Sequence, residues 1–184
     1  RDQAAALHLF AEEARSPAAL AMRLAFAGKF AEAEVEAKRL LALGNAQKLS
    51  SAAVDAYQTQ AIVRQTTGAV GAALEARRNA AGAARAAGLR EREATLMSNL
   101  GFALTTIGAR QEARTAIETG LALADSIGSQ GAVRHAQMNL LGWAATFGND
   151  VKLEAHLASV REDADAAAAG VWAAPDRSNL GMLS

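Results

Sequence analysis

The chain of 184 residues has no cysteine, only 2 prolines and few aromatics, and its charges cancel. Each shortage excludes something. Without cysteine there is no disulfide, no thiolate zinc site and no cysteine nucleophile. Pro17 and Pro175 sit near the ends, so a long middle carries no helix breaker. Lys+Arg and Asp+Glu are both 19, for a net charge of +0. That balance lacks the clustered positive excess that nucleic acid or a membrane surface requires, so neither is expected as a partner. No apolar run approaches the ~20 residues that span a bilayer, and the small-apolar stretch from Ala166 to Ala174 is interrupted by Gly170. Aromatics are 4% of a chain that is 51% hydrophobic, so alanine and leucine must supply most of the core. Alanine is the best helix former, and the composition favours an all-α fold.

What is present is a period. Gly28, Gly68, Gly108 and Gly148 fall 40 residues apart. Asn99, Asn139 and Asn179 share that step, as do Leu100, Leu140 and Leu180, Ala33, Ala73 and Ala113, and Gly88 and Gly128. A helix that ends and turns back needs a residue comfortable in the left-handed conformation, and glycine is the usual choice. The first glycine series therefore marks turns inside helix pairs, and Gly88 and Gly128 mark exits from second helices. Between these marks the apolar spacing is helical: Leu96, Leu100, Leu104 and Ile107, then Ala136, Leu140, Ala144 and Phe147 forty residues on, with Ala113, Ile117, Leu121 and Ala124 on a second helix. Each helix has one apolar face and buries it by stacking.

The expected architecture is all-α: a right-handed solenoid of antiparallel helix pairs in a single domain over residues 1–184. A lead-in helix is expected at about 2–14. Repeats follow at roughly 15–48, 50–89, 91–129 and 131–170, with a partial fifth at 174–184. A chain that starts at Arg1 and stops within a repeat is expected to be a fragment of a larger protein.

Asn99-Leu100-Gly101, then Gly108, then Glu112-Ala113, echoed by Gly28 followed by Glu32-Ala33, resemble the tetratricopeptide pattern. The resemblance is to its long-repeat variety of ~40 residues, with a Leu-small pair on the first helix, glycine at the turn and alanine on the second helix. Pair two departs from it, with Gln60 and Arg64 where pair three has Leu100 and Leu104. Pair four does too, with Leu141 and Leu153 where small residues are expected. A HEAT-like or generic helical solenoid is the alternative.

The residues offer no chemistry. His8, His135 and His156 lack metal-site spacing and read as solvated or capping. Gly68-Ala-Val-Gly71 precedes no Lys-Ser/Thr. Ser50 and Ser51 read as helix caps. Glu12-Glu13 and Asp163 with Asp165 read as charged faces, and so does the basic stretch Arg77, Arg78, Arg85, Arg90 and Arg92. No enzyme activity, metal or cofactor is expected.

The resemblance implies a concave groove lined by first helices. The expected partner-binding residues are Asp55, Gln58, Ile62, Thr95, Ser98, Asn99, Phe102, Thr105, His135, Met138 and Asn139. This lining is amide- and hydroxyl-rich with apolar spots, suited to an extended peptide held by its main chain. In long-repeat relatives a first-helix asparagine bonds the peptide main chain, and Asn99, Asn139 and Asn179 match that position. The other reading has these asparagines joining repeat to repeat. Trp143 and Trp172 read as packing residues. The groove lacks the lysine and arginine clamp of chaperone-tail binders.

The function expected is therefore a non-catalytic protein–protein interaction scaffold, cytoplasmic and bacterial. The alternative is the regulatory or sensor arm of a multidomain bacterial signalling protein, a kinase or ATPase-type regulator, binding a small effector or its own catalytic domain. The exposed faces of the terminal repeats offer a route to a homodimer.

Overall fold

A computed structural model describes residues 17–47 and 50–148. The lead-in helix, the second half of pair four, the partial fifth repeat, His8, His156, Trp172 and Asn179 lie outside the described residues, and so does any contact they make.

The described residues contain helices and turns and no strand. Helix α1 covers 17–26. It is followed by α2 (Phe30–Gln47), α3 (Ser50–Thr66), α4 (Val70–Ala86), α5 (Arg90–Thr106), α6 (Arg110–Ser126) and α7 (Gln130–Phe147). Neighbouring helices pack in chain order, giving the all-α, solenoid-like stack expected from the period. None of these helices is long and apolar enough to cross a membrane.

From α3 to α6 the helices are each 17 residues long. The turn at Gly108 shows how they are joined. Gly108 has φ +80°, its N–H bonds Thr105 O at 3.1 Å, and the Ala109 N–H bonds Leu104 O at 3.0 Å. That six-to-one bond around a left-handed residue is the Schellman motif, and it satisfies carbonyls the helix end would leave orphaned. Ala109 O then accepts from Ala113 N–H at 2.9 Å and opens the next helix. The glycines at 28, 68, 88 and 128 repeat the same bonds. At these five glycines the turns within pairs and between pairs are therefore one geometry, and only side-chain packing tells them apart.

The apolar stripe falls where its spacing places it. Leu96, Leu100 and Leu104 are buried, with Ala113, Ile117, Ala124, Ala136, Leu140 and Ala144. Leu121 and Phe147 are half-buried, and Ile107, at the C-cap of α5 where the chain is already turning away, is exposed.

Helices α5 and α6 approach each other closely at two glycines. A Cβ on Gly101 would stand 2.4 Å from Ile117 Cγ1 and 2.7 Å from Ala113 O. A Cβ on Gly120 would stand 2.6 Å from Ala94 O. Only glycine permits this approach. In pair two the same two repeat positions are Ala61 and Ala80, both buried.

Candidate functional site

Helices α3, α5 and α7 are the first helices of successive pairs, and they meet in two different ways. Between α5 and α7 the side chains are short and the helices touch. Asn139 Nδ2 donates to Ser98 Oγ at 2.8 Å, and His135 Nε2 donates to Asn99 Oδ1 at 2.8 Å. Asn139 Nδ2 also stands 3.4 Å from His135 Nε2, but that nitrogen already carries the proton given to Asn99. Below them Trp143, buried as expected of a packing residue, donates from Nε1 to Arg110 O at 2.9 Å. Both asparagines thus have one end committed to the neighbouring repeat.

Between α3 and α5 no pair of Cα atoms comes within 8 Å. Long side chains span the gap: Arg92 of α5 pairs with Asp55 of α3, and its Nη2 donates to Gln58 Oε1 at 3.2 Å. Where α5 has Arg92, α7 has Ala132, which is buried. The gap holds a cavity of about 100 Å³ lined by Met22, Gln58, Ala61, Ile62, Arg77, Ala80, Leu96 and Asn99. A shallower depression of about 260 Å³ adjoins it, sharing Gln58 and Leu96 and adding Glu91, Arg92 and Thr95. A larger groove of about 700 Å³ lies between α1 and α2; its lining is mainly apolar, and its two charged residues, Glu36 and Arg39, pair with each other.

The expected site residues therefore divide. Gln58, Ile62 and Asn99 line the cavity, Thr95 lines the adjoining depression, and Asp55 anchors Arg92 beside it. Phe102 and Met138 are exposed, at 45% and 59%. His135 and Asn139 are half-buried in the α5–α7 seam. Ser98 and Thr105 are buried and line no open surface. Ser98 packs against Gly120, and Thr105 bonds its own helix at Gly101 O, 2.9 Å away.

Sequence reasoning misses Arg92, which spans the α3–α5 gap, and Arg77. Read as part of a basic stretch, Arg77 belongs to a solvated face. In the structure Arg78 and Arg85 fit that reading, each more than half exposed and each paired with a glutamate, Glu112 and Glu93. Arg77 does not fit it. Its Nη2 donates to Gln65 Oε1, its Nε is buried without a hydrogen-bond partner, and desolvation pushes its pKa down. The signal lay in the 40-residue column: Ala37, Arg77 and Ile117 share one position, and both apolar members are fully buried.

Among the described residues no group of three or more His, Cys, Asp or Glu is placed to hold a metal ion. No family model matches the sequence, and no curated protein matches it.

Proposed function

We propose that the chain is a non-catalytic interaction scaffold of the tetratricopeptide type, holding an extended peptide or partner segment along the first-helix face of α3, α5 and α7. The observation that carries the reading is the pairing of exposed apolar anchors with half-committed amides. Phe102 and Met138 stand exposed on adjacent helices. Beside them Asn99 keeps its donor end, and Asn139 keeps its acceptor end, for a peptide main chain. Exposed aromatic and methionine side chains ringed by polar groups are the composition of protein-binding surfaces.

The test is selection of binding peptides from a displayed library with the full chain, followed by Phe102→Ala and Met138→Ala. Each truncation should weaken selected peptides by roughly fivefold or more, because interface anchors of this kind contribute above ~1 kcal/mol. Undiminished binding by both variants, with melting temperatures unchanged, would sink the reading. The alternative reading, a sensor arm for a small effector, is favoured by one feature, the partly open cavity at Arg77.

A further inference from the structure

We propose that the cavity between α3 and α5 is a binding site for a carboxylate carried on a short apolar stem, with Arg77 as its counter-ion. The inference goes beyond the scaffold reading, because a free small carboxylate would fill the cavity without any peptide. It begins with a cation in the wrong place. At the Arg77 position pair three has Ile117, fully buried, and the α2 equivalent is Ala37, also fully buried. A stacked repeat holds apolar side chains there because a desolvated polar group without a partner is expensive. Arg77 is half-buried: its Nη2 end reaches the exposed Gln65, it has no salt bridge among the described residues, and its Nε is buried without a hydrogen-bond partner. A position where the local rule is broken without internal compensation is where function is expected.

The second observation is the polarity of the walls. Gln58 commits its Oε1 to Arg92, and Asn99 commits its Oδ1 to His135. Each amide is thereby oriented with its N–H2 end uncommitted. The polar lining of the cavity is then one guanidinium and two amide donors, and the remainder is Met22, Ala61, Ile62, Ala80 and Leu96. Donors without acceptors select an acceptor-only group. A carboxylate takes the Nε–H and one Nη–H of a guanidinium side by side, which would satisfy the orphaned Nε. At ~30 Å³ per water in the liquid, a space of about 100 Å³ corresponds to some three waters, which fits a carboxylate and a few methylenes rather than a nucleotide or a sugar.

The experiment is NMR titration of the full 184-residue chain, reading the Arg77 Nε–H and the side-chain amides of Gln58 and Asn99. The probes are butyrate, butyramide, inorganic phosphate, and a blocked Ala-Glu-Ala tripeptide with its Ala-Gln-Ala counterpart. Butyrate should move all three signals and butyramide none. Arg77→Met should weaken butyrate roughly ten- to hundredfold, the range for hydrogen bonds to a charged group. Arg77→Lys, which keeps the charge and loses the fork, should fall between. Tighter binding of the Glu tripeptide than of butyrate assigns the carboxylate to a peptide side chain, and the reverse assigns it to a free small molecule. Both results support the site. Equal shifts with butyrate and butyramide, tighter binding of phosphate, no shift at any of the three signals, or undiminished binding by Arg77→Met would overturn it. Should Arg77→Met fail to fold, the butyrate–butyramide contrast in the unmodified chain and the Arg77→Lys titration decide.

Discussion

Pairs two and three are built on the same half-repeats and the same turns, yet their interiors differ at three positions. Pair three buries Leu100, Leu104 and Ile117 in one apolar cluster with Trp143. Pair two has Gln60, Arg64 and Arg77 at those three positions. Gln60 is buried, Arg64 reaches Glu34 of α2 at 3.2 Å, and Arg77 is satisfied in part by Gln65. The consequence appears one layer out. Pair three's first helix lies against the next one, while pair two's first helix stands off and leaves a cavity over Arg77. The turns make the solenoid, and the column of core residues decides where it closes and where it stays open.

The sharpest way to break the comparison is to give pair three the core of pair two. Ile117→Arg puts a charge at a fully buried position beneath Gly101. It should destabilise by about 3–5 kcal/mol, the scale for an uncompensated buried charge. Urea denaturation measures this, and a loss below ~1 kcal/mol would mean the core at this position yields as readily as in pair two.

Next in size is the turn shared by the first three pairs. Gly108→Val forces a β-branched residue to φ +80° and should cost about 1–3 kcal/mol. Thermal melting at the unmodified temperature would show that this turn relaxes. Asn139→Ala removes the partner of Ser98 Oγ, whose residue is 0% exposed, and should cost about 1 kcal/mol. An unchanged midpoint in urea would show that the α5–α7 seam is held by packing alone.

The smallest effect runs the other way. Arg77→Met gives pair two an apolar residue at the column position, and it should stabilise the chain by roughly 1 kcal/mol, because it removes a desolvated Nε that has no hydrogen-bond partner. Gain of stability with loss of carboxylate binding is the pattern expected of a site that costs stability. A clear destabilisation would instead make Arg77 a structural tie between α3 and α4.

Much of this was legible in the chain before folding. The 40-residue step set by the glycines and the Leu96–Leu100–Leu104 stripe give the pairs, because both signals are local: one is a backbone conformation, the other a helical spacing. The groove was legible only in part. Ser98 and Thr105 occupy first-helix positions like Asn99, yet they are buried, because burial depends on how closely the partner helix approaches, and Gly120 lets α6 close over Ser98.

Two residues draw the line between what the sequence by itself determined and what the tertiary structure decided. For Gly108, the conformation was settled by the residue type and its place in the period, since a helix that reverses needs a left-handed residue wherever it is packed. For Arg77, sequence shows a charge among charges. Whether an arginine is solvated or buried depends on which side of α4 faces α3 and α5, and on those helices standing apart. That separation is a property of facing surfaces from segments distant in the chain, and no local rule contains it.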